Sequence, residues 1–333
     1  MKITTTAKRF LKGHRRTGIF AITSRCNCKC VMCDIHRSKP SDIGFDDAIK
    51  ILDFMANNGF LIAYFTGGEP SLHPNVIEIV KHANKLGLLT SLTTNGTIIP
   101  KTLEDLSEAG LHTLSVSVDS WDLEFCEKTR GFRGIQERHQ RAIELAKRLK
   151  MKVYSLTYLG SHITSENIEK MVKYVNETLG IPFAACYPAT TNINTYQLGN
   201  YVNAPSPDNL KEIAQKLLEL KKADYKIANT ATYLEEVIRF HNKETTKFPC
   251  KCGEYVFYID WFGDVYPCFE KKKLFNVLEE GTSKNERLFL QNVKCNKCMV
   301  DCFREPSYIA YMKNPRILLE EIKYGFPLKD VFV

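Results

Sequence analysis

Between residues 18 and 200, short apolar runs of strand type alternate with longer stretches whose apolar residues recur at helical spacing. The strand-type runs fall at 19–23, 61–66, 88–93, 114–118, 152–158 and 182–187, and helical stretches lie between and after them at 45–57, 74–86, 100–109, 134–150 and 165–178. The first helical stretch carries Phe45, Ile49, Leu52 and Met55 on one side, with Ser41 and Asp42 as candidate N-caps; the last has Thr164 or Ser165 in that role. About six βα units in this order predict an α/β fold, a parallel sheet covered by helices. Such sheets present their functional loops at the carboxyl ends of the strands. The polar and glycine-rich breaks at 24–33, 67–70, 94–96 and 119–120 fall at those ends, which gathers them on one face. A linker is predicted at 201–211, then helices at 207–222 and 231–242. From 248 onward cysteines and short turns dominate.

At 333 residues the chain has room for about two domains. No apolar run approaches the roughly 18 residues that read as a membrane span, and the start, Met1-Lys2-Ile3-Thr4, lacks the apolar stretch of a signal peptide. A cytoplasmic location is expected. The net charge is +8, with basic residues concentrated towards the start. Such a segment suits an anionic membrane surface or nucleic acid. No nucleic-acid module is visible, and the plainer reading is a solubilising, partly frayed arm.

The 12 cysteines change the picture. Cys26, Cys28, Cys30 and Cys33 crowd together, Cys126 and Cys186 stand apart, and Cys250, Cys252, Cys268, Cys295, Cys298 and Cys302 close the chain. In a chain without an export signal, clustered cysteines more often hold metal than disulfides. Two sites are expected. Cys126 and Cys186 read as buried thiols, with Cys186 at a strand end where it could face a cavity. The histidines show no ligand spacing and read as surface or packing residues.

Cys26-x3-Cys30-x2-Cys33 follows a strand and precedes a helix. Three thiolates on a four-iron cluster leave one iron open to a substrate, in the way that catalytic metal sites keep an open position. Structural zinc, with Cys28 or His36 as a fourth ligand, fits the spacing too. The loop Cys26-Asn27-Cys28-Lys29-Cys30-Val31-Met32-Cys33 resembles the signature loop of the radical SAM superfamily, whose open iron binds S-adenosylmethionine. The odd thiol, Cys28, is expected to point away from the other three. Met32 stands where that family usually has an aromatic residue beside the adenine.

Further marks of the family follow in order. Thr66-Gly67-Gly68-Glu69-Pro70 resembles the motif that binds the methionyl amino group. Glycines bring backbone close to a ligand and a carboxylate accepts from an ammonium. Ser117-x-Asp119 resembles the pair at the ribose hydroxyls. Thr93, Thr94 and Asn95 stand at the third strand end, where the family places polar contacts, and Arg130 is the candidate for the methionyl carboxylate. The resemblance covers residues 18 to about 200. It implies a partial (β/α)6 barrel, a [4Fe–4S] cluster with an open iron, and reductive cleavage of S-adenosylmethionine to methionine and a 5′-deoxyadenosyl radical, with a reductant such as ferredoxin or flavodoxin.

In the last part, Cys252-x10-Gly263-x4-Cys268 reads as a β-hairpin with its first strand at 255–260, and Cys295-x2-Cys298-x3-Cys302 adds two or three thiolates. Two cysteine pairs separated by a loop are also a zinc pattern. Beside the first motif, the segment resembles the SPASM/twitch extension of radical SAM enzymes, which implies a small cysteine-rich hairpin and helix unit. One auxiliary [4Fe–4S] cluster is expected on Cys252, Cys268, Cys295 and Cys298, with Cys250 and Cys302 as alternatives. The expected organisation is a basic segment at 1–17, the barrel at 18–200, a helical linker at 201–247 and the auxiliary unit at 248–333.

The run Cys295–Pro306 also resembles the end of radical SAM enzymes of the adenosylhopene-transferase type, which act on lipids. The leading expectation is an enzyme that modifies a peptide or protein. The alternatives are a lipid or other small-molecule substrate and, in another class, a non-catalytic iron–sulfur or zinc protein. Only 25 residues precede Cys26, so no separate leader-peptide domain is expected ahead of it.

Overall fold

The computed structural model describes residues 2–14, 16–189, 205–279 and 295–308. Six parallel strands form the body: β1 (Arg16–Thr23), β2 (Phe60–Gly67), β3 (Leu89–Thr94), β4 (Thr113–Ser117), β5 (Lys152–Tyr158) and β6 (Phe183–Cys186). Among these six, each pairs with its sequence neighbours, in register such as Ile62 with Leu89 and Ser155 with Phe183. The result is an open, partial barrel. Helices α2 (Phe45–Asn57), α3 (Val76–Lys85), α4 (Pro100–Ala109), α6 (Ile135–Arg148) and α7 (Ile168–Lys173) follow β1 to β5 as crossovers, α7 running into a π-helical turn at Tyr174–Thr178. Their apolar sides bury Ile51, Leu52 and Met55 from α2 and Ile79, Val80 and Ala83 from α3 against the sheet. Tertiary burial rather than propensity fixes such helices.

Four local expectations are corrected. Helix α2 is capped by Gly44, because Asp42 is occupied by Thr23 Oγ1 at 2.6 Å and by Arg25 at 2.7 Å. Helix α7 starts after Asn167, whose Oδ1 accepts from the Thr164 N–H at 2.8 Å. A helix α5 (Leu123–Arg130) stands where none was expected, capped by Asp122 accepting from Phe125 N–H at 2.7 Å. Its outward Leu123 and Phe125 blur the apolar periodicity that marks the other helices. The basic start is a docked helix, α1 (Lys2–Leu11), rather than a frayed arm. Arg9 Nη2 donates to the carbonyls of Ala56 and Phe60 at 2.8 and 2.7 Å, and Thr6 donates to Gly87 at 3.2 Å. Two basic residues near the start therefore serve the fold, since Arg16 likewise donates to Asn58 and Glu254 carbonyls.

The cysteine-rich part continues the same sheet. Strand β7 (Val256–Ile259) lies parallel to β1, pairing Thr17 with Val256 and Phe20 with Ile259; β8 (Asp264–Tyr266) and β9 (Phe275–Asn276) add antiparallel strands beyond it. Nine strands thus run in the order β6-β5-β4-β3-β2-β1-β7-β8-β9. Between the two parts, α8 (Pro207–Lys222) and α9 (Ala231–His241) pack on each other, and α10 (Asp301–Ser307) packs against β6, β7 and α9. The first residues of the expected linker, 201–204, lie outside the described residues. Among the described residues no helix is long and apolar enough to cross a membrane.

Candidate active site

The loop after β1 is pinned on both sides. Ser24 N–H donates to Ser41 at 2.8 Å, while Lys29 and Val31 N–H groups donate to Arg130 and Thr129 carbonyls at 3.0 and 2.9 Å. This wraps Cys26, Cys30 and Cys33 round one small space, with donors aimed at two of the sulfurs: Asn95 Nδ2 lies 3.9 Å from Cys26 Sγ and Arg130 Nη1 lies 3.8 Å from Cys30 Sγ. Burial pushes Cys26 up to about 11 and Cys33 up to about 12. Cys30 is held down to about 6 by the Cys28 thiol that donates to it, aided by Arg130. Cys28 therefore does not point away from the others: it sits against Cys30 in a small cluster with Cys126 and Ile135, which Met32 flanks.

The Gly-Gly-Glu turn is built differently from the expectation. A Cβ on Gly67 would come within 2.1 Å of the Thr23 carbonyl oxygen, and one on Gly68 within 2.1 Å of Arg25's. The glycines are needed so that the end of β2 can lie on the backbone of the cysteine loop. Glu69 is fully buried and turns inward: it accepts from Ser71 Oγ at 2.7 Å, Thr94 Oγ1 at 3.0 Å and Asn95 N–H at 2.7 Å. Burial raises its pKa, and these donors oppose the rise. Glu69 thus ties the ends of β2 and β3 together. Asn95, so held, reaches Asn27 Oδ1 at 2.9 Å, and His139 supports it from behind with Nε2 3.0 Å from its carbonyl.

Asp119 and Arg130 form a buried ion pair, Oδ2 to Nη2 at 2.6 Å, with side chains 0% and 10% exposed. Asp119 Oδ1 accepts from Tyr158 N–H at 3.0 Å, and its carbonyl meets His162 Nε2 at 3.0 Å. Ser117, Asp119, Arg130 and Cys33 line a cavity of about 700 Å³ inside the barrel, between the interior residues Ile19, Tyr64, Ser91 and Tyr154. His139, His162 and Asn27 are supports that sequence reasoning missed; nothing in their spacing marks them. The residues fit an anionic cluster with S-adenosylmethionine. Cationic and amide donors face the sulfurs, and Arg130 Nε is buried with no hydrogen-bond partner among the described residues.

Residues 20–175 match the model of the Radical SAM superfamily. Those residues form a radical SAM domain. The AdoMet-dependent heme synthase of Methanosarcina barkeri is 26% identical over 267 residues, 74% of each chain. Streptococcus suis SuiB bound to S-adenosylmethionine shares the fold at a TM-score of 0.65 and 16% identity, over 92% of this chain and 77% of that one. So does anSMEcpe with bound AdoMet and Kp18Cys peptide, at a TM-score of 0.63 and 18% identity over 95% of this chain and 99% of that one.

Beyond the radical SAM domain, a second thiol group lies beside β7. Cys252 Sγ is within hydrogen-bonding reach of Cys250, Cys268 and Cys295, and the backbones of Cys250 and Cys295 pair, N–H to carbonyl at 2.9 Å. Hydrogen bonding with Cys252 lowers the pKa of the Cys250 and Cys295 thiols, whereas burial pushes the neighbouring Cys298 up to about 12. Cys302 lines the barrel cavity. Arg304, fully buried, donates Nη1 to the Cys295 carbonyl at 3.2 Å, while its Nε has no hydrogen-bond partner among the described residues. Arg304, ion-paired with buried Glu236 at 3.6 Å, keeps a spare donor near Cys250 and Cys295, which fits an anionic cluster.

Proposed function

We propose that this radical SAM enzyme acts on a side chain of a peptide or protein that enters the barrel while the rest of the substrate stays outside. The cavity carries the reading. At about 700 Å³ it lies within the roughly 300–1,000 Å³ typical of a site for one drug-sized ligand. S-adenosylmethionine is itself of that class, so the space left beside it suits one side chain better than a second ligand of equal size. The likeness to folds captured with peptides, anSMEcpe with Kp18Cys and SuiB with SuiA, supports the same choice. A one-electron reductant of the ferredoxin or flavodoxin type completes the reading.

In this proposal Cys26, Cys30 and Cys33 hold the [4Fe–4S] cluster, and Cys252, Cys268, Cys295 and Cys298 hold an auxiliary one, with Cys250 the nearest alternative. When bound, cluster and S-adenosylmethionine supply reductive cleavage of the carbon–sulfur bond and a 5′-deoxyadenosyl radical. The chain's own residues position that chemistry. Asp119 and Ser117 meet the ribose hydroxyls, Arg130 the methionyl carboxylate, and Met32 the adenine. Gly67 and Gly68 let the strand end approach the cysteine loop, and Glu69, Thr94 and Asn95 keep that approach fixed. Arg130 joins both halves of the site, since one guanidinium reaches Asp119 and Cys30.

The test offers the reconstituted enzyme, with S-adenosylmethionine and dithionite, a set of short peptides that differ in one central side chain. The reading expects 5′-deoxyadenosine above the peptide-free level, and a peptide mass change, for particular side chains. It fails if every peptide is inert while an iron porphyrin or a polyprenyl lipid stimulates cleavage.

A further inference from the structure

Three groups on the cavity wall are used by neither proposed cluster: Cys186, Asp301 and Cys302. Cys186 ends β6, while Asp301 and Cys302 open α10, which packs across β6. Asp301 accepts from Tyr187 N–H through Oδ1 at 2.8 Å and from the Cys186 thiol. Cys126 shows what a merely structural thiol looks like here. It is fully buried, packed on Cys28, Cys30 and Ile135, and has no face on the cavity. Cys302 keeps such a face, in the same cavity as Asp119 and Arg130.

We propose that Cys302 is a hydrogen-atom donor of the active site, delivering its thiol hydrogen to a carbon radical formed in the cavity, with Asp301 and Cys186 as its proton-holding neighbours. The inference rests on the radical SAM reading and names a catalytic residue outside its motifs. In the step the Cys302 S–H bond breaks homolytically and a C–H bond forms, so the carbon radical is quenched and a thiyl radical remains on Cys302. One electron from the external reductant converts the thiyl to thiolate. A proton from water, relayed by the Asp301 carboxyl, restores the thiol. A thiol that faces the cavity holds its transferable hydrogen where a carbon radical would form.

The test needs no substrate. Reconstituted enzyme in deuterium oxide is given S-adenosylmethionine and dithionite, so the nucleoside radical is itself the carbon radical and the thiol carries deuterium. The expected result is 5′-deoxyadenosine bearing one deuterium in the wild-type reaction. That deuterium is lost in Cys302→Ser, whose stronger O–H bond does not donate, with the iron content unchanged. Cys186→Ser is expected to retain it. Deuterium persisting in Cys302→Ser overturns the inference, and so does loss of about four of eight irons, which would make Cys302 a ligand. Absence of 5′-deoxyadenosine from the wild-type enzyme fails the radical SAM reading instead, and removes the inference with it.

Discussion

The buried pair Asp119–Arg130 can be broken from one side or removed whole, and the two outcomes differ sharply. In Asp119→Asn the guanidinium keeps its place, 10% exposed with Nη1 on Cys30 Sγ, but loses the carboxylate 2.6 Å away. Breaking a buried pair from one side costs about 3–5 kcal/mol, because a charge stays buried and uncompensated, whereas removing both partners together is often near neutral. For a chain of 333 residues that loss is a fall of about 4–7 °C in melting temperature, taking about 2.1 cal/mol/K of unfolding entropy per residue. The assay is thermal melting of the metal-free, reduced chain for Asp119→Asn, Arg130→Met and the double variant, with S-adenosylmethionine affinity measured on the reconstituted proteins. The double variant is expected to regain most of the stability and none of the affinity. A single variant within about 1 kcal/mol of the wild type, or a double variant as unstable as the singles summed, would refute the reasoning.

Other consequences follow from individual contacts. Burial, with Arg130 nearby, holds His139 down to about 3, so the unfolded chain binds more protons than the folded one between about pH 6.5 and pH 3, and stability drains away as pH falls through that window. His139→Gln should flatten the acid side of the melting-temperature profile; an unchanged slope would show that His139 is not the group. Gly68→Ala places a Cβ 2.1 Å from the Arg25 carbonyl oxygen and should cost both stability and iron at the first cluster, while Gly44→Ala, at the N-cap of α2 with Asp47 at 3.7 Å, should cost about 1 kcal/mol or less and no iron. Equal melting and iron content in the two would contradict this. Removing the Arg304 cation should lower the midpoint potential of the auxiliary cluster, since net charge and hydrogen bonding set that potential; redox titration of Arg304→Met followed by electron paramagnetic resonance reads it, and an unmoved midpoint counts against the contact.

Much of the barrel could be read from the chain because its strands are short apolar runs stopped at polar breaks, and each break proved to sit at a strand's carboxyl end. Helices α2, α4 and α8 begin and end where periodicity, proline and glycine place them. Helix α5 escaped because its exposed Leu123 and Phe125 spoil the amphipathic pattern. That Cys26, Cys30 and Cys33 lie near one another was legible because they are closely spaced on one loop. Glu69 was found but its partners were not, because Ser71, Thr94 and Asn95 turn it inward through contacts that only the closed sheet creates. The parallel pairing of β7 with β1 joins residues more than two hundred positions apart, and no local pattern announces it. The same holds for Arg16 on Glu254 and for Cys302 facing the barrel interior.

The central claim is an open iron held by three thiolates that cleaves S-adenosylmethionine. It is tested most directly by counting products after anaerobic reconstitution and addition of dithionite and S-adenosylmethionine. The account predicts methionine and 5′-deoxyadenosine in equal amounts from the wild type, none from Cys30→Ala, and nearly unchanged amounts from Cys28→Ala. A fully iron-loaded wild type that yields neither product, or equal losses in the two variants, would contradict it.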